Sequence, residues 1–282
     1  LDLAPVAPGV VGKLEAANPG GSVKDRIAIA MIEAAEARGA LLPGGTIVEA
    51  TAGNTGVGLA MVAASRGYRC VFVMPQKMSL AKERLLTAFG AEVVRTDNAP
   101  PSDPRNFQNV ARALAVEHGW FLPDQFANPA NVEVHYRTTG PEIWRDTDGT
   151  VAAFVCGVGT GGTLTGVGRY LKEQRAEVQV VLADPKGSTL SGGPDGAYAI
   201  EGIGSSQPPA NYDASLVDAF EVVTDDEAFA MCRRLAVELG VLVGGAAGCT
   251  VVAASRWAAR HPGELAVAIL QDTGRNYLAL EG

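Results

Sequence analysis

The chain has 282 residues, 47% of them hydrophobic, which is enough for two α/β lobes or one large domain and argues against disorder. A formal net charge of −8 disfavours nucleic acid or an anionic membrane as partner. No apolar run reaches the roughly 20 residues of a spanning helix, no C-x-x-C pair occurs, and His118, His135 and His261 are isolated, so a structural metal site is not expected.

The opening, Leu1-Asp2-Leu3-Ala4-Pro5, has no basic region followed by an apolar run, so no secretory signal is read. Next comes N-P-G-G-S-V-K-D-R (18–26), which places Lys24 in the first turn of a helix, with Ser22 and Asp25 at the spacing of a capping box. Strand and helix then alternate: strand 46–50, helix 56–67, strand 70–74, helix 79–89, strand 91–96, a Pro-rich loop and helix 106–117. Short connections between such units predict a parallel sheet covered on both faces. A second cycle follows Pro129, with a helix to about 146, strand 151–155, helix 164–174 and strand 178–183. Residues 187–204 are rich in Gly and Ser without periodicity, and a loop of that length is expected to be functional. Strand 219–223, helix 225–239, the apolar stretch 241–248, a helix to 260 and strand 265–270 complete the chain. Cys70, Cys156, Cys232 and Cys249 form no C-x-x-C pair and are read as buried thiols in a reducing cytosol.

Three turns carry the chemistry. Lys24 alone reads as a surface lysine at a helix start. The apolar helix after it implies burial, and burial together with the helix dipole lowers a lysine's pKa toward what a Schiff base needs. Thr51-Ala52-Gly53-Asn54-Thr55-Gly56 joins a strand to a helix and offers amides and hydroxyls for a carboxylate or phosphate. Gly157-Val158-Gly159-Thr160-Gly161-Gly162-Thr163 does the same as an anion-binding nest. It also matches G-x-G-x-x-G, and Asp184 follows where a ribose-binding acid would sit, which keeps a dinucleotide-binding oxidoreductase as the rival. One amine and two anion-binding turns suit a cofactor bearing an aldehyde and a phosphate, as pyridoxal phosphate does.

From about Lys13 to its end the chain resembles the cysteine synthase and cystathionine β-synthase family, with spellings nearest to cystathionine β-synthase cores. The resemblance rests on 18–26, E-A-T-A-G-N-T-G (49–56), D-Q-F-A-N-P-A-N (124–131), H-Y-R-T-T-G-P-E-I (135–143), 157–163, E-G-I-G (201–204), V-G-G-A-A-G (243–248) and R-N-Y (275–277). It implies an α/β fold of two open twisted, mostly parallel sheets flanked by helices, the tryptophan synthase β-subunit-like fold type II, with pyridoxal 5′-phosphate between the lobes. A smaller lobe is expected over 18–128, with a mobile part at about 70–118, and a larger one over 1–17 plus 129–282. Carried over residue by residue, Lys24 is the Schiff-base lysine and the base at the substrate's α-carbon. Gly159, Thr160, Gly161, Gly162 and Thr163 hold the phosphate, and Asn54 meets the 3′-oxygen. Thr51, Ala52, Asn54, Thr55 and Gln125 take the substrate carboxylate, and Gly202 lines the mouth.

The implied reaction is β-replacement on serine or an O-activated serine by sulfide or homocysteine, giving L-cysteine or L-cystathionine through an aminoacrylate. The alternative within the family is desulfhydrase-type elimination from cysteine. A cytoplasmic homodimer is the family's habit. The sequence departs from the pattern at Ala246, where a hydroxyl residue usually meets the pyridine nitrogen. That nitrogen is left to water, to a neighbour such as Cys249, or to no partner, and altered turnover or a catalytically weak, cofactor-binding partner protein follows as a further reading. Ala52 replaces a common Ser, and the family's usual N-terminal strand and T-P-L segment are not seen, so either part of the dimer-forming edge is missing or the sequence begins late.

Overall fold

A computed structural model describes residues 1–51, 53–100 and 102–277. The chain divides into two compact units, one of residues 1–23 with 131–282 and one of residues 24–130.

The larger unit is built on a parallel sheet. In chain order it contains β1 (Val10–Leu14), the C-terminal part of α5 (Pro129–Val134), a π-helical segment (His135–Thr139), α6 (Gly140–Asp146), β5 (Val151–Cys156), α7 (Gly162–Gln174) and β6 (Gln179–Pro185). Then follow β7 (Ala219–Val223), α8 (Asp225–Leu239), α9 (Gly245–Arg260) and β8 (Leu265–Leu270). Among the described residues the sheet order is β1-β8-β5-β6-β7. The sequence explains that order. V-A-A-F-V-C, Q-V-V-L-A-D-P and L-A-V-A-I-L are almost continuously apolar and buried on both faces, so they take the centre, while β7 alternates and β1 is half-covered, as edges are.

Alternate residues divide between two cores. Val155, Val181, Ala183 and Ala268 face α8 and α9, where Trp257 and Met231 pack. Phe154, Val180, Leu182 and Val267 face α7 through Leu164, Val167 and Leu171. Alanines at 153, 183, 266 and 268 match the alanine-rich α9 and let helix and sheet approach closely.

The smaller unit holds α1 (Lys24–Ala37), β2 (Thr46–Ala50), α2 (Asn54–Arg66), β3 (Arg69–Pro75), α3 (Leu80–Ala88), β4 (Glu92–Thr96) and α4 (Phe107–His118). Its strands run parallel in the order β2-β3-β4, and Phe121 continues the sheet beside β2, donating to Thr46 O at 3.0 Å and accepting from Val48 N at 2.9 Å. Val48, Ala50, Val71 and Val73 pack on Ala111 of α4. Helices α1 and α2 meet at Gly58, where a Cβ would stand 3.0 Å from Ala28 Cβ and 3.1 Å from Lys24 O.

Strand β1 was not expected from the sequence. V-V-G-K-L is short, carries a glycine and takes its parallel ladder from β8, with Val10 opposite Ala266, so local pattern does not announce it. The helix expected from Pro129 to about 146 is interrupted by the π turn at His135–Thr139.

Candidate active site

In the larger unit, β5 ends at Cys156 and α7 begins at Gly162. The turn between them needs its glycines. Gly161 caps α7 at φ +86°, a left-handed conformation, and brings no side chain to cap the helix, whose first N–H groups are left for an anion. A Cβ at Gly159 would lie 2.1 Å from Gly202 O, and one at Gly161 would lie 2.6 Å from Tyr212 N. One at Gly162 would lie 1.9 Å from Asn131 Oδ1. The turn is thus closed on its outer side by backbone and by Asn131. Gly202, expected at the site's mouth, presents its carbonyl to Gly159, and Gly204 N–H donates to Val158 O at 2.8 Å.

The two cup threonines are held by residues whose roles the sequence left unassigned. Asn131 Nδ2 donates to Thr160 Oγ1 at 3.0 Å. Thr163 Oγ1 lies 3.1 Å from His135 Nε2, and His135 Nδ1 lies 2.9 Å from Thr139 Oγ1. The π turn carries both His135 and Thr139, and such turns recur at functional sites. The signal was present: Asn131 and His135 fall in the motifs 124–131 and 135–143, but an isolated histidine and a single asparagine carry no spacing rule of their own.

Helix α9 also starts on a glycine, Gly244, whose N–H donates to Asp272 O at 3.1 Å. Ala246 is buried in its first turn. Ala246 O accepts from Thr250 Oγ1 at 2.9 Å, and Thr250 Oγ1 accepts from Gln271 Nε2 at 2.7 Å. Tyr277 Oη donates to Asp272 Oδ2. Cys249 is fully buried, and burial pushes its thiol pKa up. Asp184, the residue of the dinucleotide reading, is also fully buried, and its Oδ2 accepts from Ser191 N at 2.9 Å.

In the smaller unit, Lys24 is the first residue of α1 and half-buried, not a surface side chain. Helix α2 begins at Asn54 on the bare cap Gly53, whose own N–H donates to Thr51 Oγ1 at 3.2 Å. Thr55 Oγ1 donates to Gln125 Oε1 at 2.6 Å. Ala52 lies outside the described residues. Beneath this turn, at the end of β2, Glu49 is buried and receives Ala50 N–H on Oε1 at 3.2 Å. Burial first, then the charge of Asp124, lifts its pKa to about 8, against the pull of the Ala50, Asp124 and Gln125 amides. Glu49 is a third residue that the sequence reading passed over although its motif, 49–56, was in view.

The structure therefore gathers 159–163 with Gly202 in one unit, and Thr51, Asn54, Thr55 and Gln125 around the α2 start in the other. The glycine cradle admits an anion and excludes side chains, so the residues present fit a phosphate-bearing cofactor. Among the described residues no cluster of His, Cys, Asp and Glu could hold a metal ion, and no helix is long and apolar enough to cross a membrane.

Comparison with known proteins agrees with this chemistry. A family described as pyridoxal-phosphate dependent enzyme matches residues 3–272. The chain is 46% identical to a cysteine synthase of Staphylococcus aureus over 276 residues, covering 97% of this chain and 88% of the relative. A hydrogen sulfide-producing enzyme from Fusobacterium nucleatum superposes with a TM-score of 0.89 at 38% identity, over 95% of this chain and 90% of its own. An O-ureido-L-serine synthase superposes with a TM-score of 0.90 at 42% identity, over 96% and 86%.

Proposed function

The chain belongs to the pyridoxal-phosphate dependent enzyme family, and we propose that it joins sulfide to the β-carbon of an O-activated serine, releasing L-cysteine. That it carries out β-replacement giving cysteine follows from its likeness to cysteine synthase over nearly its whole length. The observation that supports the site assignment best is the glycine cradle, closed against Gly202 O, Tyr212 N and Asn131 Oδ1.

When bound, pyridoxal phosphate supplies an aldehyde and an electron-withdrawing ring. The residues of this chain supply placement. The amides of 159–163 bind the phosphate at the α7 N-terminus, where the helix dipole favours negative charge. Asn131 and His135 fix the Thr160 and Thr163 hydroxyls so that they need not reorganise on binding. Lys24 Nζ would hold the cofactor's aldehyde and would take the substrate's α-proton. Asn54 would meet the cofactor's 3′-oxygen. Thr51, Ala52, Thr55 and Gln125 bind the amino acid's carboxylate, and Gly202 borders the entrance. Segment 70–118 moves with substrate. We assign a homodimer in the cytoplasm; the four cysteines, none in a disulfide among the described residues, suit a reducing compartment.

Net elimination from cysteine is the second reading, favoured by the likeness to a hydrogen sulfide-producing enzyme. One assay separates the readings. Serine, O-acetylserine, O-phosphoserine and cysteine are each incubated with the loaded enzyme, with and without sulfide or homocysteine, and the products are identified by mass. Cysteine from an O-activated serine plus sulfide is expected. Pyruvate as the dominant product would establish elimination, cystathionine would make homocysteine the acceptor, and no product from any pair would end the proposal.

A further inference from the structure

Ala246 offers only a methyl group at a turn where the family resemblance places a hydroxyl. Beside it, a relay of buried polar groups ends in an open acceptor. The Thr250 hydroxyl donates to Ala246 O at 2.9 Å, so its one hydrogen is committed. Gln271 can then meet Thr250 Oγ1 only through its NH2 group, which it does at 2.7 Å, and this fixes the orientation of the amide. The other end, Gln271 Oε1, is buried without a hydrogen-bond partner among the described residues, in a side chain more than nine-tenths buried. A buried carbonyl in that state is unfavourable unless a ligand brings it a hydrogen. Gln271 directly follows β8 at the carboxyl end of a parallel sheet, the end at which open α/β sheets take ligands. The bond from Gly244 N–H to Asp272 O locks this segment to the start of α9.

We propose that the Gln271 side-chain carbonyl is the hydrogen-bond partner of the cofactor's pyridine nitrogen, in place of the hydroxyl that Ala246 lacks. The inference rests on the pyridoxal-phosphate reading above. It adds a chemical requirement. A hydroxyl can donate or accept, whereas a carbonyl only accepts, so the nitrogen it meets must carry a proton. Gln271 thus selects the pyridinium form of the ring, the stronger electron sink.

Ring-protonation state is read directly by nitrogen NMR of enzyme loaded with cofactor labelled with 15N in the ring. The wild type is expected to resonate at the pyridinium position. In Gln271→Leu the signal moves to that of unprotonated pyridine and cofactor binds about tenfold more weakly, the worth of one such hydrogen bond. Gln271→Glu, which keeps an acceptor, holds the pyridinium signal. A loaded wild type with an unprotonated ring overturns the inference, as does a loaded Gln271→Leu whose signal is unchanged. Should Gln271→Leu not fold, the wild-type and Gln271→Glu signals still decide. A wild type that takes up no cofactor removes both this inference and the reading beneath it; an unprotonated ring in loaded enzyme removes this one alone.

Discussion

The Thr55 hydroxyl donates to the side-chain carbonyl of Gln125 across 2.6 Å, although 70 residues separate them in the chain. The bond fixes Gln125 with its NH2 end turned away from Thr55, so the amide is oriented to donate before any carboxylate arrives. Removing the donor would leave a buried carbonyl without this bond; on the proposed reading, removing Gln125 would also remove a carboxylate ligand. Gln125→Leu is therefore expected to raise the KM for the amino-acid donor about tenfold, the worth of one hydrogen bond to a charged group, while the cofactor spectrum stays as it is. An unchanged KM would take Gln125 out of the substrate site.

Lys24→Ala should abolish the visible Schiff-base band and the covalent label that borohydride fixes on the wild type. The rate should fall by about 10²–10⁴ from the lost acid–base work alone. A band that survives the substitution would place the cofactor on another amine.

Gly159→Ala tests the cradle. Its new methyl would stand 2.1 Å from Gly202 O, a backbone atom that cannot swing aside as a side chain would. Overpacking of this kind costs roughly 1–3 kcal/mol, and equilibrium dialysis should show cofactor affinity falling by one to two orders of magnitude. Gly193→Ala, which meets nothing nearer than Ser188 O at 3.7 Å, serves as the matched control. Equal affinity in both variants would move the phosphate elsewhere.

Glu49 sets a pH dependence whose sign can be worked out. Its carboxyl keeps its proton in the folded chain up to about pH 8, whereas the unfolded chain loses it near 4.5. Between these values the folded state binds more protons, so this group's contribution to stability is fully present below about 4.5 and is lost as pH rises toward 8. Glu49→Gln should match the wild type in urea unfolding at pH 5 and exceed it at pH 8. Parallel loss of stability in both proteins would assign the slope to another group.

Ala246→Ser places a hydroxyl beside the Thr250–Gln271 relay. Both the cofactor's absorption and the rate should change, and a variant that differs in neither would make position 246 irrelevant to the ring.

Much of this was legible in the sequence because the signals are local. Apolar runs such as L-A-V-A-I-L declare central strands, and the 157–163 turn declares itself through glycines at a strand–helix junction. What was hidden depends on partners far along the chain. The parallel bonds of β1 come from β8, and Gln271 gains meaning only when Thr250 and Ala246 are seen to fill its other end. The 187–204 loop looked structureless, yet Ser188 and Thr189 hydroxyls both reach Ser205 O and Ser191 N–H reaches Asp184, an order no periodicity could reveal. The π turn escaped notice because it is a single widened turn inside a run that otherwise reads as helix.

Helices α2, α7 and α9 all begin on glycines, with no side-chain cap at any of them. A Ser or Asp at such a position would satisfy the first N–H groups of the helix permanently; glycine leaves them to a ligand. Ligand that binds only the folded state adds about 2.7 kcal/mol when present at a hundred times its dissociation constant. On the proposed reading the stability of this chain would rise with cofactor supply, so that scarcity would lower the amount of enzyme as well as its occupancy.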